Sequence, residues 1–200
     1  MKKKAILVID IINEIVDEKG AMGSHGYYQF LKDNNSINNI NNLINNFRKN
    51  KDYILFFIRV QFSEDYREVL NASPIFKDAP KYSILKKNTW STDWHKDLEV
   101  HENDIVVTKN RVSPFYGTNL NLLLDNFNVS ELIISGVSTH LAIESTVREA
   151  HDYGYDVTVV EDCCIACSDK VHNNSLFNIG HFAEIVKLDE ILNTNQNNIL

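Results

Sequence analysis

Short β-branched runs alternate with longer amphipathic stretches along almost the whole chain, and this alternation restricts the fold more than any other feature. Ala5–Asp10, Tyr53–Val60, Asp104–Thr108, Glu131–Gly136, Asp156–Val160 and Glu184–Leu188 read as strands. Ser36–Lys49, Thr139–Tyr153 and Lys170–Phe182 read as helices; in the first, Ile37, Ile40, Leu43, Ile44 and Phe47 recur at helical spacing opposite a face of asparagine. Runs such as Ile6-Leu7-Val8-Ile9 are apolar without alternation. Such strands are covered on both faces, which predicts an α/β fold, a parallel sheet with helices on each side and right-handed crossovers. Lys19–Asp33 and Phe62–Val100 follow neither period. The second holds Trp90 and Trp94, both read as core packing, and a loop that long is functional or partly structured.

At 200 residues, one domain over 1–200 is expected. With 44% hydrophobic and 24% charged residues the chain is an ordinary folded one. A net charge of −7 without a Lys/Arg stripe argues against nucleic acid as a partner. No apolar run nears the ~18 residues of a membrane span. The N-terminal apolar run, Ala5–Ile9, is stopped by Asp10, which speaks against an export signal, so a cytoplasmic protein is expected. Cys163, Cys164 and Cys167 are clustered, with only His172 nearby. That is neither a disulfide framework nor a metal set, so reduced thiols near a strand end are expected.

In an open parallel sheet, ligands bind at the carboxyl ends of the strands. The residues to weigh are therefore Asp10, Arg59, Lys109, Gly136–Thr139 and Asp162. Asp10 alone reads equally as a turn cap or as a buried carboxyl with a raised pKa. Lys109 alone reads as a solvated strand end, but together the two can face one another across a crevice. Ser135-Gly136-Val137-Ser138-Thr139 joins a strand to a helix whose first-turn N–H groups could hold an anion or a developing oxyanion. The plain alternative is a turn capped by Thr139.

Ala5–Glu14, Val107–Leu120, Ile134–Ala150 and Tyr153–Asp162, in that order and spacing, are similar to the isochorismatase-like hydrolase superfamily. That superfamily includes cysteine-dependent amidohydrolases such as nicotinamidases, as well as the isochorismatases proper. The resemblance implies a three-layer αβα, doubly wound, Rossmann-like sheet of order 3-2-1-4-5-6. It also implies a cis Val137–Ser138 peptide, and a homodimer or higher homo-oligomer with Phe62–Val100 as a candidate contact. Its triad places Asp10 as acid or base and Lys109 as electrostatic partner. Backbone N–H groups of Ser138 and Ala142 would form the oxyanion hole. The nucleophilic cysteine's position holds Ala142.

A methyl group attacks nothing, so no thioester forms at residue 142. Three explanations stay open. The chain is a hydrolase that, like isochorismatases, protonates its substrate without a covalent intermediate; or it is a Cys→Ala variant of a thioester-forming amidohydrolase; or it only binds a small molecule. The Asp-x-His pair of metal-dependent nicotinamidases is replaced by Arg59-Val60-Gln61. Neither a metal nor any other cofactor is therefore expected. Arg59, Arg111 and Tyr116 suggest a pocket for a small carboxylate or amide, unless Arg59 pairs with a carboxylate such as Asp65. His140 reads either as a pocket residue or as a surface one.

Overall fold

The computed structural model describes residues 2–197. Six parallel strands form one sheet in the order 3-2-1-4-5-6: β1 Lys3–Ile9, β2 Tyr53–Val60, β3 Ile105–Lys109, β4 Val129–Val137, β5 Asp156–Ile165 and β6 Glu184–Val186. The helices are α1 Asn13–Val16, α2 Tyr27–Asp33, α3 Ser36–Phe47, α4 Ala79–Tyr82, α5 Leu120–Asn126, α6 Glu144–Asp152, α7 Asp169–Ile179 and α8 Leu188–Asn197.

The unbroken apolar run of β1 explains the layers. Ile6 and Val8 enter one core with α3 residues Ile40, Leu43 and Phe47, whereas Ala5, Leu7 and Ile9 enter a second with Leu124 of α5, Val147 of α6 and Ile179 of α7. Both faces of the central strand are thus dry, as a parallel sheet requires. β1 lies between β2 and β4, so the winding direction reverses beside it. The carboxyl ends of β1 and β4 therefore border the crevice that such a reversal opens.

Three expectations are corrected. β5 runs on to Ile165, not Val160, which places Cys163 and Cys164 inside the strand and fully buried. Asp162 is consequently not at the strand end; its Oδ1 accepts the Leu188 N–H at 2.9 Å and secures the start of α8. Trp94 packs edge-on against Phe57 as core, but Trp90 is partly exposed.

The long stretch after β2 has little regular structure. It is tied down by backbone bonds, with the Phe62 N–H donating to Leu85 O at 2.7 Å and the Lys87 N–H to Phe62 O at 2.9 Å. Among the described residues no helix is long and apolar enough to cross a membrane.

Candidate active site

Asp10 follows the last residue of β1 and turns the chain sharply, at φ +58°, a region that Asp tolerates better than most residues. Its carboxyl is gripped from two sides. Oδ1 accepts the Val60 N–H at 2.7 Å, and Oδ2 lies 2.7 Å from Lys109 Nζ. Lys109 ends β3, two strands away, and reaches across the end of β2. Its ammonium also donates to Val112 O at 2.8 Å and to Arg111 O at 3.2 Å. With Asp10, these acceptors account for its three hydrogens.

Asp10 is 3% exposed and Lys109 1%. Burial pushes the Asp10 carboxyl above its ordinary range, while the Lys109 charge and the Val60 N–H pull the other way without cancelling the rise.

β4 supplies the third component. Gly136 sits at φ +123°, and a Cβ there would stand 2.2 Å from Ile9 O. Only glycine lets β4 press this closely on β1 beside Asp10. The Val137–Ser138 peptide is cis, as the resemblance implies. Ser138 O accepts the N–H groups of Leu141 and Ile143, both at 3.1 Å, so the first turn, Thr139–Ile143, is a wide π turn that leads into α6. Thr139 anchors it: its hydroxyl donates to Ile165 O at 3.1 Å and lies 2.9 Å from His172 Nδ1. Its carbonyl accepts from Ser175 Oγ at 2.9 Å. The N–H groups that a first turn leaves without an intrahelical acceptor carry positive potential.

Asp10, Lys109, Ser138 and Ala142 line one cleft. The rest of its wall is apolar: Ile15, Met22, Val60, Ile75, Phe76, Leu85, Val112, Val137 and Leu141. Polar ends beside an apolar body are the usual build of a small-molecule site.

Two features of this wall have no signature in the sequence. Glu14, buried in α1, accepts the Ala21 N–H at 2.9 Å and the Ser91 hydroxyl at 2.8 Å. Ser91 Oγ in turn accepts the Leu85 N–H at 2.6 Å, holding that residue at φ +55°. Met22 and Leu85 are thereby fixed from behind.

The remaining candidates stand outside this lining. Arg59 donates to Thr92 O at 3.1 Å and lies over Trp94, while Asp65 pairs with Arg67 instead. Arg111 Nη1 donates to Glu68 O at 2.9 Å and to Asn110 O at 2.6 Å. Tyr116 is 65% exposed. His140 stacks on Tyr27, and its buried Nδ1 has no hydrogen-bond partner.

Cys163 and Cys164 lie outside the cleft, and burial raises both thiols well above their ordinary pKa, which suits packing rather than nucleophilic attack. Among the described residues no three His, Cys, Asp or Glu side chains are grouped to hold a metal ion.

The family model described as the isochorismatase domain matches residues 4–190. An uncharacterized isochorismatase family protein, YecD of Escherichia coli O157:H7, is 32% identical over 194 residues, covering 96% of each chain. The ureidoacrylate amidohydrolase RutB of Rhizobium rhizogenes is 24% identical over 191 residues, covering 89% of this chain and 77% of that one. Among solved structures, a cysteine hydrolase from Pseudomonas syringae pv. phaseolicola superimposes with a TM-score of 0.86 at 19% identity, covering 98% of this chain and 93% of that one.

Proposed function

Since this chain belongs to the isochorismatase family, we propose that it is a small-molecule hydrolase whose reaction centre is the Asp10–Lys109 pair. The observation that carries this reading is the 2.7 Å contact between the buried Asp10 carboxyl and the buried Lys109 amine in a cleft shared with Ser138 and Ala142.

In the proposed reaction Asp10, protonated, gives its proton to the substrate and water adds to the carbon so activated. The adduct then expels the leaving group and the proton lost by the water returns to the carboxylate, so no covalent enzyme intermediate is required. Lys109 keeps Asp10 in position and compensates its charge after proton transfer. The N–H groups of Ser138 and Ala142 would steady negative charge that develops on the substrate oxygen.

The test is hydrolysis of a panel of amides, esters and vinyl ethers by the chain and by Asp10→Asn. Turnover lost by about 10³-fold or more in the variant supports the assignment. Binding without turnover in the parent chain removes it, leaving a binding protein.

The amidohydrolase relatives and the buried Ala142 methyl facing this cleft favour one second reading, a cleft built for thioester chemistry. Ala142→Cys would then hydrolyse amides that the present chain only binds, with a burst of covalent adduct visible by mass spectrometry.

A further inference from the structure

Beyond its reacting end the cleft offers a substrate no charge. Ile15, Met22, Ile75, Phe76, Leu85 and Leu141 form that part of the wall. Among the lining residues Lys109 is the one cation, and its hydrogens are already directed to Asp10 Oδ2, Arg111 O and Val112 O. The two nearest guanidiniums in sequence, Arg59 and Arg111, donate to backbone carbonyls outside the lining. A carboxylate in the substrate's body would lose its water, find no donor and share the cleft with the Asp10 carboxyl.

From this arrangement we infer that the cleft selects a small, uncharged molecule with an aliphatic or aryl body and one hydrolysable amide, ester or vinyl-ether group, and rejects molecules whose body bears a carboxylate. The inference rests on the reading of this cleft as the reacting site, but it concerns selection rather than turnover. Of the small carboxylate or amide that the arginines and Tyr116 suggest in the sequence, it keeps the amide and drops the carboxylate.

Calorimetric titration of the intact protein with two matched probes tests it. Isocaproamide carries an isopropyl group where succinamate carries a carboxylate. Isocaproamide should bind about 100-fold more tightly or better, a ratio spanning two decades of Kd. Ile75→Arg, which sets a guanidinium at the partly exposed rim, should narrow that ratio by roughly tenfold. Succinamate bound as tightly as isocaproamide, an unchanged ratio in Ile75→Arg, or no binding of the neutral probe overturns the inference. Product assays on the same samples separate the two claims. Neutral ligands bound without turnover contradict the hydrolase and leave the selection intact, whereas turnover that prefers succinamate does the reverse.

Discussion

Asp10 keeps a proton more readily than an exposed carboxyl does, because the cost of burying its charge exceeds what Lys109 and the Val60 N–H return. In the proposed role of acid it would then still be loaded above the usual carboxylate range. If Asp10 is the acid, kcat/KM falls as pH rises through its folded value; a profile that instead climbs through that window makes Asp10 a base. Stability follows the same sign. The folded chain binds this proton more tightly than the unfolded one, so the carboxyl's contribution is fullest at low pH and is lost as pH rises from its ordinary range to the folded value. Lys109→Met leaves a buried carboxylate without its partner and should cost about 3–5 kcal/mol in urea unfolding at neutral pH, most of it recovered in the Asp10→Asn, Lys109→Met double variant. Both residues were legible because each closes an apolar run with a charge. The places of Arg59 and Arg111 were not. Neighbouring side chains on a strand point to opposite faces, so Val60 reaches the cleft while Arg59 lies over Trp94.

Among the elements, those with a sustained period were readable. α3 matches its expected span to within two residues, and the core-facing positions named for it are buried. α5 has only two buried positions, Leu120 and Leu124, too few to reveal a helix, and α2 lies in a stretch with no clear period. The segment after β2 escaped for a different reason: backbone bonds and buried polar groups fix it, and neither leaves a hydrophobic repeat. Ser91 shows how such a segment shapes the site. Ser91→Ala leaves the Leu85 N–H without its acceptor and takes the Ser91 donor from Glu14 Oε2, which should cost about 1–3 kcal/mol. Because Leu85 is wall rather than chemistry, the variant should raise KM more than it lowers kcat, a split measurable by steady-state kinetics on any substrate found.

For the whole molecule, continuous apolar strands and helical spacers foretold the parallel sheet, and the matching motifs supplied its order. Assembly is a separate matter. Leu70, Ile75, Tyr82 and Trp90 are all exposed on the segment after β2, the part that the family resemblance offers as a subunit contact. We expect a homodimer or higher homo-oligomer by light scattering, and Leu70→Glu with Tyr82→Glu should shift it towards monomer. A monomeric parent chain would remove that surface from consideration.

Lys109 belongs to an edge strand, yet its ammonium is stitched to the residue just after β1, inside the sheet. The sheet's rim and its middle are thereby made answerable to each other. Peeling away the border strand would pull the cation out of the crevice and strand Asp10 in a dry place. Gentle heating or mild denaturant that merely frays that margin would thus extinguish turnover while the rest of the body still stands.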